Sequence, residues 1–161
     1  IMKLPVIFVV ENNLFASHMH IDLRQPSNST ARFAEAHGIP FKVIDGNNLS
    51  EVYKVSQEAV KHCRENKGPY FIESMTYRWR GHVGPREDTD VGVKRKDDLD
   101  KWKKRDPIRR LKDSLINKNV LSENDFNEIT KLIDKDLDEQ WLKALSAPYP
   151  PESLLTEIVY K

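Results

Sequence analysis

Two short stretches of this 161-residue chain hold the residue types that chemistry needs. The first is Glu11-Asn12-Asn13-Leu14-Phe15. Side-chain amide oxygens and backbone carbonyls are hard ligands that suit Mg2+, a cation that also takes phosphate oxygens. Asn13 with the carbonyl of Phe15 supplies two such positions. A plainer reading is that Asn-Asn ends a strand, since asparagine tolerates turn conformations; the pentapeptide alone leaves both readings open. The second stretch is Tyr77-Arg78-Trp79-Arg80-Gly81-His82. Arg78, Arg80 and His82 bring three hydrogen-bond donors within five residues, which suits a phosphate group. Gly81 and Gly84 let such a loop order on binding. A solvated surface loop has the same composition. Together the two stretches describe a diphosphate–Mg2+ site. Neither a Gly-Lys-Ser/Thr phosphate loop nor a Gly-x-Gly-x-x-Gly fingerprint occurs to support a different nucleotide site.

The surrounding elements must position these residues. The apolar, β-branched run Pro5–Val10 fits a strand buried on both faces, the parallel-sheet pattern. A helix is expected over 30–37, with Ser29 or Thr30 as cap and Gly38-Ile39-Pro40 as stop. Residues 41–44 read as a second strand and Asp45-Gly46-Asn47-Asn48 as a turn. Ser50 is the expected cap of a longer helix with Val52, Val55, Ala59 and Cys63 on one stripe; Gly68-Pro69 closes it. Residues 70–77 read as a third strand. This alternation predicts βαβ units and an α/β fold with a parallel, doubly wound sheet. Ligands of such sheets bind at the carboxyl ends of strands, where both stretches fall.

After Tyr77 the pattern changes. Residues 78–96 read as a polar loop, followed by helices over 97–105, 107–117 and 123–145. In the last, Phe126, Ile129, Ile133, Leu137, Trp141 and Leu145 recur every three or four residues, predicting a core-facing stripe behind a Ser122 cap. Pro148-Tyr149-Pro150-Pro151 ends it, and Leu154–Tyr160 is a short apolar tail. The expected division is 1–96, an α/β domain with its loop, and 97–161, a helical extension of that domain.

Lys plus Arg number 26 against 25 Asp plus Glu, a net charge of +1, which gives no electrostatic reason to expect nucleic acid. The run Leu4–Val10 is too short to span a bilayer, so no membrane role is expected. Cys63 is the lone cysteine, so no intrachain disulfide forms; the expectation is a reducing, cytoplasmic setting. The abrupt start Ile1-Met2-Lys3-Leu4, running straight into a strand, reads as a piece of a longer chain.

Four blocks, in order, resemble one family. Leu4–Asn13 resembles the second half of the thiamine-diphosphate motif, which opens with Gly-Asp-Gly and closes with Asn-Asn. Pro40–Val43 with Asp45-Gly46-Asn47 resembles the following strand and turn. Lys67-Gly68-Pro69 with Thr76–His82 resembles a Gly-Pro strand and a Tyr-Arg-x-x-Gly-His loop. Arg105-Asp106-Pro107-Ile108 resembles an Asp-Pro that opens C-terminal helices. By these blocks the chain is similar to the C-terminal part of the alpha subunit of thiamine-diphosphate-dependent 2-oxo acid dehydrogenases, whose members act on pyruvate, branched-chain 2-oxo acids or acetoin.

The resemblance implies an oxidoreductase using thiamine diphosphate and Mg2+. It would decarboxylate a 2-oxo acid, or cleave acetoin, and pass the acyl group to the lipoyl-lysine of an acyltransferase. Asn13 and the carbonyl of Phe15 would ligate Mg2+. His82 would lie over the diphosphate near the reacting end, and Arg78 would help order the loop. The cofactor would lie between this subunit and a beta subunit, in an alpha2-beta2 heterotetramer. Three departures matter. The Gly-Asp-Gly half is missing, so the isolated chain is expected to be inactive. Val83 stands where animal pyruvate dehydrogenases carry a phosphorylated serine, although Thr89 is nearby. The family's Tyr-Arg pair has Val93-Lys94-Arg95-Lys96 as its nearest stretch. Two other readings stand beside this one. A non-catalytic scaffold domain would keep the fold without a complete cofactor site. A flavodoxin-like or nucleotide-binding domain fits the βαβ pattern but accounts for neither Asn13 nor the His82 loop.

Overall fold

The computed structural model describes residues 2–88 and 95–157. Three strands form a parallel sheet in the order β1 (Ile7–Asn12), β5 (Tyr70–Met75), β4 (Phe41–Asp45). Between them run α1 (Ala31–Ala36) and α2 (Leu49–Arg64). A two-residue hairpin, β2 (Phe15–Ala16) with β3 (Met19–His20), follows β1 and leads into a 3-10 turn at Ile21–Leu23. The parallel α/β alternation is as expected; the hairpin carries no pattern that the sequence reading picked out.

Strand burial differs from expectation. β5 lies in the middle and is buried from Tyr70 to Ser74. β1, expected to be buried on both faces, is an edge strand whose Phe8 and Val9 are 47% and 59% exposed. An apolar run reports a strand's affinity for a core, not how many neighbours cover it.

Each helix covers the sheet through a short apolar stripe. Val55, Ala59 and Cys63 of α2 pack with Ile44, Tyr70 and Ile72, with Val52 beside them, as its spacing predicts. Its cap is Asn48, which accepts from the Glu51 N–H, and not Ser50, which lies inside the first turn. On α1, Ala31 and Ala34 pack on Phe71. The α1 N-terminus is held by Ser29 Oγ and by Glu73, a β5 carboxylate that accepts from the Thr30 and Ala31 N–H groups at 2.8 and 3.1 Å.

Contacts divide the chain into Ile1–Ser114 and Leu115–Lys161. In the first unit, α3 (Lys96–Lys103) buries Leu99 and stacks Trp102 on Tyr77 at 5.7 Å. The start of α4 (Pro107–Asn117) is pinned to the Asp45 turn: Arg110 Nη1 lies 2.9 Å and Arg105 Nη2 3.0 Å from that carboxylate. Burial raises the Asp45 pKa, and hydrogen bonds from Arg110 and Arg105 outweigh it, so its pKa lies below the ordinary value. Gly46 is required there, since a Cβ would meet the Met75 carbonyl at 2.9 Å.

In the second unit, α5 (Glu123–Ser146) starts at the expected cap, Ser122, in a reciprocal capping box with Asp125. Its apolar stripe does not face a core: Ile133, Leu137, Trp141 and Leu145 are each more than half exposed. Amphipathic spacing makes a sticky face; whether anything covers it depends on the rest of the fold. A short α6 (Leu154–Glu157) follows, and residues 158–161, which include the end of the expected tail, lie outside the described residues. No described helix is long and apolar enough to cross a membrane.

Candidate active site

β1 and β5 end level with one another. They run in parallel register from Ile7 beside Tyr70 to Asn12 beside Met75, and the Thr76 N–H donates to the Asn12 carbonyl at 3.0 Å. The chain therefore leaves both strands at the same rim of the sheet, and the two stretches singled out in the sequence emerge side by side.

At the first exit, the two asparagines take different tasks. Asn12 is buried; its Nδ2 donates to Glu73 Oε1 at 2.6 Å and to the Asn28 carbonyl at 2.8 Å. Asn13 is half-buried, and its Oδ1 accepts from the Phe15 N–H at 3.0 Å. Asn13 and Phe15 are thus locked in one tight turn, and an amide oxygen with one donor keeps a second lone pair. Leu14 and Ser17 sit at φ of 68° and 52°, left-handed positions that cost about 1–3 kcal/mol each for residues other than glycine. The turn and hairpin hold them there.

At the second exit, Arg78 is a clamp. Its Nη2 donates to the Ser17 carbonyl at 2.8 Å and lies 3.4 Å from Asp88 Oδ2, while Nε donates to the Arg80 carbonyl at 3.0 Å. The Arg80 side chain turns back onto its own loop, donating to the Pro85 carbonyl. His82 is exposed, and its backbone N–H donates to Asp88 Oδ2 at 2.8 Å. Gly81 passes so close to Asp88 that a Cβ would run into the carboxylate.

Three more residues complete the cluster, and the sequence reading left two of them, Asp88 and His18, aside. Asp88 is buried at the meeting point of His82, Arg78, Arg95 and His18. Arg95 is 1% exposed, with its guanidinium over the rings of Phe15 and Tyr77 at 5.4 and 5.2 Å. It also donates to the Arg78 carbonyl. It belongs to the stretch compared with a Tyr-Arg pair; Val93 and Lys94 of that stretch, and Thr89, lie outside the described residues. His18, on the hairpin, lies edge-to-face against His82 with ring centroids 6.5 Å apart. A carboxylate amid arginines in a loop was the available signal for Asp88. Nothing local marked His18.

The donor set fits part of a metal–diphosphate site. Asn13 and the Phe15 carbonyl are hard oxygen ligands of the right kind, and the exposed His82 imidazole is a donor of the type that suits phosphate. No group of three or more His, Cys, Asp or Glu suited to a metal occurs among the described residues. A six-coordinate Mg2+ would draw its remaining oxygens from phosphate, water and residues beyond these.

The family described as the dehydrogenase E1 component matches residues 1–153. This chain belongs to that family. Residues 154–161 lie beyond the match, which starts at the N-terminal residue of this chain, and the match does not carry the expected placement in the C-terminal part of a subunit. Among curated E1 relatives, a pyruvate dehydrogenase E1 component subunit alpha of Porphyra purpurea is 34% identical over 158 residues, covering 98% of this chain and 45% of that protein. The chloroplastic subunit alpha-3 of Oryza sativa subsp. japonica is 37% identical, with 98% and 36% covered. The mitochondrial somatic-form subunit of Homo sapiens is 31% identical, with 98% and 40% covered. This E1 chain thus spans less than half the length of these relatives. Their names also correct the expectation of a cytoplasmic setting, since relatives are chloroplastic or mitochondrial. A lone cysteine can form no intrachain disulfide in any compartment, so it does not distinguish one compartment from another.

Proposed function

We propose that this chain is part of the alpha subunit of a thiamine-diphosphate-dependent 2-oxo acid dehydrogenase. The observation that carries the reading is the convergence of the Asn13–Phe15 turn and the Arg78–His82 loop at one rim, joined by the 2.8 Å bond from Arg78 to the Ser17 carbonyl. Membership of the E1 family supports it. On this reading residues 1–96 belong to a doubly wound thiamine-diphosphate-binding domain and 97–161 to its helical extension.

Asn13 and the Phe15 carbonyl would hold Mg2+, and His82 would donate to the diphosphate. Arg78, engaged with Ser17 and Asp88, would order the loop rather than grip phosphate. When bound, thiamine diphosphate supplies the carbanion chemistry that releases CO2; the protein orients and shields it. The exposed imidazole of His82 would move a proton when the acyl group passes to a lipoyl-lysine. The partners are a beta subunit, which would close the site in an alpha2-beta2 assembly, and a lipoyl acyltransferase. The isolated chain would be inactive, because Asn13 and the Phe15 carbonyl alone do not fill a Mg2+ shell and the beta subunit would close the site.

The experiment is to assemble the full-length subunit with its beta partner and screen pyruvate, branched-chain 2-oxo acids and acetoin with an artificial electron acceptor. Mg2+- and thiamine-diphosphate-dependent turnover of one substrate is expected. An intact heteromer that binds no cofactor and turns over none would instead make this chain a scaffold that keeps the fold.

A further inference from the structure

The hairpin β2–β3 touches the His82 loop at both of its ends. Its tip carbonyl, Ser17, receives the Arg78 guanidinium at the loop's start. Its tip side chain, His18, brings Nε2 to 3.6 Å from Asp88 Oδ2. That is ion-pair range rather than a full hydrogen bond. The same oxygen accepts the His82 backbone N–H at 2.8 Å. The hairpin is rigidly tied in turn to the Asn13–Phe15 turn. Phe15 is its first residue, packed edge-on against Tyr77 at 5.6 Å and under Arg95.

We propose that His18 is a positioning residue for His82, acting through Asp88, so that the hairpin holds the Asn13–Phe15 turn and the His82 loop in one fixed geometry. This rests on the reading that His82 serves the cofactor. A buried carboxylate is retained only when its charges and hydrogen bonds are answered. Asp88 is 7% exposed and draws on Arg78, Arg95, His18 and the His82 N–H. Arg78 and Arg95 come from the His82 loop's own polypeptide stretch. His18 is the member supplied by the hairpin, and so it couples the two stretches. Its side chain is 49% exposed, so the coupling is modest.

The test uses the full-length subunit assembled with its partner, with hydrogen exchange at the His82 amide as first readout, without cofactor. His18→Ala should speed that exchange roughly threefold, the size of an exposed ion pair, while the Phe71 and Ile72 amides keep their protection. His18→Gln, which keeps a donor at similar reach, should restore it. Asp88→Ala should speed it by more than His18→Ala does. The second readout is kinetic: His18→Ala should raise the KM for thiamine diphosphate, and His18→Gln should reverse it. Unchanged His82 exchange in His18→Ala would overturn the proposal, as would an unchanged KM for thiamine diphosphate. A wild-type heteromer without activity would sink the functional reading, and the exchange arm alone would then decide the coupling.

Discussion

Glu73, at the centre of β5, accepts a 2.6 Å hydrogen bond from Nδ2 of Asn12 at the end of β1. The same carboxylate accepts from Ser29 Oγ at 2.5 Å, Thr30 Oγ1 at 2.9 Å and the first N–H groups of α1. One fully buried anion therefore ties the edge strand, the middle strand and the helix that covers them. Burial raises its pKa; hydrogen bonds from Ser29, Thr30 and Asn12 outweigh burial, leaving it below the ordinary carboxylate value.

Asn12→Ala removes one donor to that charge and should cost about 1.5–3 kcal/mol of stability. Glu73→Ala strands several buried donors at once and should cost more than Asn12→Ala. Urea unfolding of the full-length subunit checks both. Equal stability of Asn12→Ala and wild type would remove the carboxylate from its place as the tie.

Acid should loosen this tie. The folded pKa of Glu73 lies below its ordinary value of 4.5, so its contribution is complete above that pH and is lost as pH falls through the folded value. Asp45 behaves likewise from an ordinary value of 3.8. The Tm should therefore fall steeply below about pH 5. Glu73→Gln, less stable at neutral pH, should lose less over the same interval. Parallel acid limbs for variant and wild type would contradict this.

Asn13→Ala should separate from its neighbour. It removes a half-buried turn residue, so the stability cost should stay below that of Asn12→Ala, while the Mg2+ concentration needed for half-maximal activity should rise. Titrating Mg2+ at saturating thiamine diphosphate measures this. An unchanged requirement would take Asn13 out of the metal shell.

His82→Ala should leave stability within about 0.5 kcal/mol, because the exposed ring fills no cavity and the backbone N–H held by Asp88 survives the change. Loss of a charge-assisted bond to phosphate, about 1.5–3 kcal/mol, corresponds to roughly a ten- to hundredfold weaker cofactor affinity. Calorimetric titration of the heteromer measures it. A further loss in transfer to lipoyl-lysine at saturating cofactor would add the proton-handling role; unchanged affinity and unchanged transfer would make His82 an ordinary loop histidine.

What the sequence determined by itself was local. The stripe Val55, Ala59, Cys63 marked the buried face of α2, and Ser122 with Asp125 marked the start of α5, because caps and helical periods involve residues within about four positions. The alternation of short strands and helices announced the parallel sheet, and Asn13, Arg78 and His82 stood out by residue type. The tertiary structure decided everything that joins distant positions. It put β5 in the middle and left β1 at an edge, and it left the α5 stripe exposed. It closed Glu73 onto Asn12 across 61 positions and brought Arg78 to Ser17 across the same separation. It also put Arg95 over Phe15 and His18 beside Asp88. A buried charge is stable only where its partners meet in space, and no spacing along the chain records which partners those are.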